Sequence, residues 1–438
     1  MSTGDGPLEA GLSAGRGGDQ GAAADASGDR AGNGSAPLPS TEPRPGGKAK
    51  RGRKSRRRRR GPVFARGADG HLEAPGRRPQ PAATNERRPQ PQQGAKPQGP
   101  YYAALDLGTN NCRLLIAAPR ERGFRVVDAF SRIVRLGEGV GANGRIGEAA
   151  MERAIEALKV CGAKLKEREV AGVRMIATEA CRAAANGAAF IARVRAETGL
   201  ALEIVSRETE ARLAVAGCAS LVDPNAAGVI LFDIGGGSSE LVWIDLTPPA
   251  DGRRRRMADR IRTWMSLPVG VVNVSEKHGG RHVTPAQFAA MVAEVASMLA
   301  DFPDGAALDR AVAAGRVHML GTSGTVTTLA GIHLELPRYD RRRVDGTWLA
   351  GTRVDELVAE LVAMDYEARV ANPCIGRERA DLVLAGCAIL EAIRRRWPCE
   401  RLRVADRGLR EGMLVELMAA DGVWRPRSGR RTGDRAHG

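Results

Sequence analysis

The stretch Val229-Ile-Leu-Phe-Asp-Ile-Gly-Gly-Gly-Ser-Ser-Glu-Leu-Val-Trp243 decides the reading of this chain. Its apolar run 229–232 predicts a short buried strand, Gly235, Gly236 and Gly237 a tight reversal, and Leu241-Val-Trp243 a returning strand. Consecutive glycines cost stability, but they let backbone N–H groups converge on one anion such as a phosphate oxygen. Asp233 before the turn and Glu240 after Ser238 and Ser239 flank that point with carboxylates, as a divalent cation bridging to phosphate requires. Taken alone, the stretch reads equally as a glycine-rich hairpin with no ligand.

The pattern occurs twice. Asp106-Leu-Gly108-Thr109-Asn110-Asn111-Cys112-Arg113-Leu114-Leu115 matches Asp233-Ile-Gly235-Gly236-Gly237-Ser238-Ser239-Glu240-Leu241-Val242 position for position, and a strand-like run precedes each copy. A repeat at domain-sized spacing predicts a duplicated fold whose two turns face each other across a cleft.

Between the copies, a buried strand is predicted over 173–177, delivering Thr178, Glu179 and Arg182 to the sheet end where active-site loops emerge. Arg182 on its own reads as a surface arginine bridging two loops, although a guanidinium presents several N–H donors that suit one anion. Ser206 is a plausible N-cap for a helix that begins Arg207-Glu-Thr-Glu-Ala-Arg212 and runs to Gly217, with Glu210 in its first turn. An acid there is often only a partner of the helix dipole. After the second copy, Val317-His-Met-Leu320 predicts a strand running through Gly321, Thr322, Ser323, Gly324 and Thr325 into a helix, an anion site built from orphan amides. Gly137, Gly139 and Gly141 do not lead straight into a helix, which excludes a dinucleotide loop.

Two Asp-x-Gly hairpins, each opening an α/β domain, resemble the superfamily of actin, heat-shock chaperones, sugar kinases and acetate kinase. Ala177-Thr-Glu-Ala-Cys-Arg182, Ser206-Arg-Glu-Thr-Glu-Ala-Arg212, Gly321-Thr-Ser-Gly-Thr325 and Leu409-Arg-Glu-Gly-Met413, in order with the two hairpins, narrow the resemblance to the exopolyphosphatase/guanosine pentaphosphatase family. The resemblance implies duplicated ribonuclease H-like (actin-like ATPase) α/β domains and hydrolysis of a terminal phosphoanhydride. It implies Glu210 as the catalytic group that orients or deprotonates water, with Glu208 the alternative. Mg²⁺, or another divalent cation such as Mn²⁺, is expected at Asp106, Asp233 and Glu240. Phosphate is expected at Gly108, Thr109, Asn110, Arg113, Arg182, Gly235, Gly236, Gly237, Ser238, Ser239 and residues 321–325. Inorganic polyphosphate and guanosine pentaphosphate both fit as substrate, with polyphosphate favoured by charge, and family members are often homodimers. The chain departs from the family at Asn273, where many members carry Arg, and at Arg407, which leaves Asp406 without an assigned role. A related small-molecule kinase and a non-catalytic alarmone or polyphosphate sensor are the competing readings.

Composition bounds the rest. Residues 1–100 hold 19 Lys and Arg against 9 Asp and Glu, so +10 of the formal +16 lies there. With almost no aliphatic clusters, that stretch is expected to be a disordered basic tail. The run Lys48-Ala-Lys-Arg-Gly-Arg-Lys-Ser-Arg-Arg-Arg-Arg-Arg60 suits RNA, polyphosphate or anionic lipid, or no dedicated partner. The expected domains are 101–225 and 226–420, followed by a short basic tail over 421–438, with a solvated basic loop over 248–256. Seven scattered cysteines without a Cys-x-x-Cys pair, and no apolar span or signal segment, predict reduced thiols and a cytoplasmic protein without a membrane span.

Overall fold

The computed structural model describes residues 100–248 and 255–424, and the expectations placed on the N-terminal tail, the centre of the basic loop and residues 425–438 lie outside them. Near-continuous apolar runs make β1 (Tyr101–Leu107) and β2 (Asn111–Pro119) a buried antiparallel hairpin. β3 (Phe124–Ile133) pairs outside β2, while β4 (Val170–Ala177) and β5 (Glu203–Ile204) extend the sheet in parallel from β1, giving the order β3-β2-β1-β4-β5. β4 is not the fully buried strand expected: it alternates, Val173 is 39% exposed, and only Ile176 and Ala177 are buried.

The second sheet repeats this plan from β6 (Gly228–Ile234), β7 (Ser239–Asp245), β8 (Ile261–Leu267), β9 (Val317–Thr322), β10 (Trp348–Ala350) and β11 (Arg401–Ala405). Its order is β8-β7-β6-β9-β11-β10, with β9 and β11 parallel to β6 and β10 added as an antiparallel edge. The expected duplication is therefore present strand for strand, in an α/β fold of two mixed sheets. Register sets Asp106 opposite Arg113 in the first hairpin and Asp233 opposite Glu240 in the second.

Two helices lie between the sheets. Helix Arg207–Cys218 starts at Ser206, whose side chain accepts from the Thr209 N–H, and buries Ala211, Ala214 and Val215 against Val229, Leu231 and Val242 of the second sheet. The closing helix Leu409–Ala420 follows β11 yet lays Met413, Leu414 and Met418 on Tyr102, Ala104 and Leu115 of the first sheet. Each such side chain contributes about 1.5–3 kcal/mol. Where the helices meet there is room only for glycine: a Cβ on Gly412 would sit 2.1 Å from the Leu213 carbonyl oxygen, and one on Gly217 2.0 Å from that of Gly408.

A four-residue helix, Val140–Asn143, follows Gly139 directly, where the sequence predicted none. All seven cysteines are buried free thiols. No helix among the described residues is long and apolar enough to cross a membrane.

Gly412→Val should separate the paired helices and destabilise the protein by about 2 kcal/mol or more, read as a lowered thermal midpoint.

Candidate active site

The hairpin turns meet face to face, and this contact explains Gly236 and Gly237, whereas a Cβ on Gly235 would lie 2.8 Å from the Ser238 carbonyl oxygen of its own turn. None of the three glycines 235–237 has positive φ. A Cβ on Gly236 would lie 2.8 Å from Thr109 Cβ, and one on Gly237 2.9 Å from Thr109 Oγ1, so the second turn must be bare for the first to sit on it. Two of the amides expected to face an anion are spent on the turns themselves: the Gly108 N–H donates to Asn111 O at 2.8 Å and that of Gly235 to Ser238 O at 3.0 Å.

Around this contact lies a cavity of about 80 Å³ lined by Asp106, Glu210, Asp233 and Glu240, with residues 108–110, 235–238 and Arg113. Asp106, Arg113, Asp233 and Ser323 also line a second cavity of about 690 Å³, so the two adjoin. Thr322 and Gly324 line the larger space, and Thr325 a third of about 70 Å³ beside Gly235 and Gly236.

Three expected phosphate ligands do not line these cavities. Gly321 packs on the Phe232 ring, so closely that a Cβ there would lie 2.6 Å from it, because β9 continues through it to Thr322. The Ser239 hydroxyl donates to Val269 O at 2.7 Å. Arg182 is turned behind the site: it donates to Glu179 Oε2 at 2.9 and 2.6 Å, to Val205 O at 2.6 Å and to Glu210 Oε2 at 3.0 Å. The alternative base, Glu208, is not among the residues lining any of the three cavities.

The small cavity concentrates negative charge out of water. Burial holds Asp106 above its ordinary pKa against the nearby Arg113 and Arg410. Burial lifts Asp233 to about 6, with Arg113 and the Ser323 hydroxyl opposing and Asp106 adding to the rise. It lifts Glu240 to about 7, helped by Asp233, although Ser238 and Ser266 hydroxyls donate to Glu240 Oε1 at 2.8 and 2.9 Å. Glu210 stands well above the usual carboxylate range through burial and then the charge of Glu240, with Arg182 pulling it back.

Asp233 and Glu240 are like charges directly across one strand pair, an arrangement that is destabilising without a counter-ion. Among the described residues no three His, Cys, Asp or Glu side chains close into a metal cage, so Asp106, Asp233 and Glu240 do not form one alone. The donor set still fits a hard cation. It offers only oxygen ligands, and the buried Asn110 Oδ1 and Asn111 Oδ1 have no hydrogen-bond partner. Mg²⁺ takes one or two carboxylates and completes its shell with water and phosphate oxygens.

Several groups at the site escaped the sequence reading. Arg377, Arg379 and Arg410 line the larger cavity with Arg113, and none of the four forms a salt bridge among the described residues. Arg410 sits inside the motif Leu409-Arg-Glu-Gly-Met413, which was the available signal. Its neighbour Glu411 accepts from the Gly408 N–H at 2.9 Å and from Arg341 at 2.5 Å, bracing the turn that carries Arg410. Ser323, the N-cap of helix Gly324–His333, has φ 80 and borders all three cavities, a strained conformation of the kind concentrated at functional sites.

Known proteins share this architecture. The Ppx/GppA phosphatase family model matches residues 115–421. The chain is 28% identical over 320 residues to a guanosine-5'-triphosphate,3'-diphosphate pyrophosphatase of Aeromonas salmonicida, covering 73% of this chain and 60% of that protein. It thus spans about three fifths of that relative's length. It is likewise 28% identical over 328 residues to exopolyphosphatase 2 of Mycobacterium tuberculosis, covering 72% of this chain and 98% of that protein. The crystal structure of the Aquifex aeolicus member of the Ppx/GppA family is similar with a TM-score of 0.59 at 28% identity, over 74% of this chain and 98% of that one. An exopolyphosphatase from Cytophaga hutchinsonii shares the fold at a TM-score of 0.63 and 24% identity, over 74% of this chain and 98% of that one. With well over half of its length matched by the family model, the chain belongs to the Ppx/GppA phosphatase family.

Proposed function

We propose that the protein hydrolyses the terminal phosphoanhydride of inorganic polyphosphate. The observation that carries this reading is the pairing of cavities: a carboxylate-lined space of about 80 Å³, suited to one phosphoryl group, adjoining an arginine-walled space of about 690 Å³ suited to the rest of a polyanion. Glu210 accepts a proton from water as its oxygen attacks the terminal phosphorus. The bond from that phosphorus to the bridging oxygen breaks, releasing phosphate and a chain one unit shorter. Arg113 and Arg410 hold the charged oxygens, and turn residues 109–110 and 236–238 shape the end of the space. Asp106 and Asp233 with Glu240 would hold Mg²⁺ or Mn²⁺, which when bound would supply charge neutralisation for the phosphate oxygens.

Guanosine pentaphosphate is the second reading, supported by the name of the Aeromonas relative. Two observations favour polyphosphate. The chain covers 98% of the mycobacterial exopolyphosphatase against 60% of the Aeromonas protein. The aromatic residue on the large cavity, Tyr339, has its hydroxyl committed to Asp406 at 2.8 Å, and seven arginines line the same space. Phosphate release measured on both substrates at matched phosphate concentration should be faster with polyphosphate; faster release from guanosine pentaphosphate reverses the order.

Glu210→Gln should lower kcat by about 10²–10⁴ while substrate still binds, the range for loss of a positioned base. Unchanged turnover removes Glu210 from the reaction.

The raised carboxylates also set a pH dependence. Between an unfolded carboxylate pKa of about 4 and the folded values of about 6 for Asp233 and about 7 for Glu240, the folded chain binds more protons than the unfolded. Stability of the metal-free protein should therefore fall as pH rises through this window and level off above it. Thermal unfolding in chelator should show that slope, reduced in Glu240→Gln, and Mg²⁺ should raise the midpoint more at pH 8 than at pH 5.

A further inference from the structure

Glu179 is a buried carboxylate beside the reaction site that the mechanism above does not use. It follows β4, is 7% exposed, and lines the small cavity together with Glu210. Both of its oxygens are engaged by arginines. Oε2 accepts from Arg182 Nε at 2.9 Å and Nη2 at 2.6 Å and from Arg207 Nε at 3.2 Å, and Oε1 accepts from Arg207 Nη2 at 2.7 Å.

The position of Arg207 gives this its meaning. Arg207 and Glu210 stand three residues apart on one helix, the spacing at which opposite charges meet on a helix surface. Yet Arg207 makes its salt bridge with Glu179 across the gap between elements, and none with Glu210. Glu210 is left with one ion pair, Arg182 Nη2 to Oε2 at 3.0 Å, and its Oε1 accepts no hydrogen bond from a described residue. Two guanidinium groups and two carboxylates thus balance, but both arginines are drawn chiefly to Glu179. Were Glu179 neutral, Arg182 would keep Glu210 as its remaining carboxylate, and Arg207, whose charge already acts on Glu240 and Glu210, would be released to turn to Glu210, three residues along its own helix. A carboxylate gripped by two guanidinium forks has its lone pairs committed and is a poor acceptor for a proton from water.

We propose that Glu179 is a positioning residue for the reaction: it diverts Arg207 and fixes Arg182, so that Glu210 keeps one charged contact and one oxygen free for water. The proposal rests on the reading of Glu210 as the base. Because Glu179 acts on Glu210 through Arg182 and Arg207, its loss falls on turnover and not on substrate affinity.

The test is steady-state phosphate release from inorganic polyphosphate by the full chain, with thermal midpoints measured alongside. Glu179→Gln should lower kcat by about 10- to 100-fold, part of the contribution of a positioned base, with KM changed by less than about threefold. Arg207→Gln in the wild-type background should change kcat by less than about threefold, and the double variant Glu179→Gln/Arg207→Gln should return kcat to within about fivefold of wild type. A residue that only stabilised the fold would give a double variant worse than either single one, so a double variant no faster than Glu179→Gln overturns the proposal. So does a loss confined to KM, or a Glu179→Gln protein with wild-type kcat. If Glu179→Gln does not fold, Glu179→Asp, which keeps the charge but shortens the reach, should lose part of kcat and be rescued by Arg207→Gln in the same way; absence of rescue again counts against it. Glu210→Gln separates the two ideas: activity there sinks the assignment of the base, whereas an inactive Glu210→Gln with no rescue in the double variant sinks only the role of Glu179.

Discussion

Four carboxylates, Asp106, Glu210, Asp233 and Glu240, converge on a cavity of about 80 Å³ beside the arginine-paired Glu179, and the rest of the structure is the means of holding these four there against their mutual repulsion. In water such charges would separate. Here each is fixed from behind by a rigid element: Asp106 and Asp233 by the central strands of two sheets, Glu240 by the return strand and two serine hydroxyls, Glu210 by the first turn of a packed helix. Positive charge is supplied by Arg113 and Arg182, and burial keeps the Asp106 and Glu210 carboxyls above their ordinary pKa against it.

The duplication shows how one turn came to do two jobs. At the position opposite the aspartate, the first copy carries Arg113 and the second Glu240. The first hairpin is therefore internally charge-balanced and brings a guanidinium to the cavity, whereas the second sets two carboxylates against each other across its strands. Thr109, seated on Gly236 and Gly237, locks these unlike halves into register.

Much of this was readable in the sequence, for identifiable reasons. The hairpins announce themselves through short-range signals, an apolar run followed by glycine and a second apolar run, and the repeat of that signal implied the shared cleft. Ser206 as a cap and Glu210 in the following turn are equally local. What escaped depends on contacts between distant segments. The same letters suited Arg182 to a phosphate and to a carboxylate, and its partners, Glu179, Val205 and Glu210, were decided by folding. Arg410 and Arg379 come to the cleft from the far end of the chain, and no spacing rule connects them to Asp106. The sequence marks glycines 235–237 as a unit, but the approach of Thr109 to Gly236 and Gly237 is visible only once both turns are in place.

The return of helix Leu409–Ala420 to the first sheet has a bearing on how the protein is made. Tyr102, Ala104 and Leu115 leave the ribosome well before Met413, Leu414 and Met418, which shield them. Until helix Leu409–Ala420 emerges, the first sheet keeps an oily face with no native cover, a state open to aggregation and to capture by chaperones. Completion of this lobe thus waits on a segment made far later, and a chain cut before Leu409 would keep that face bare.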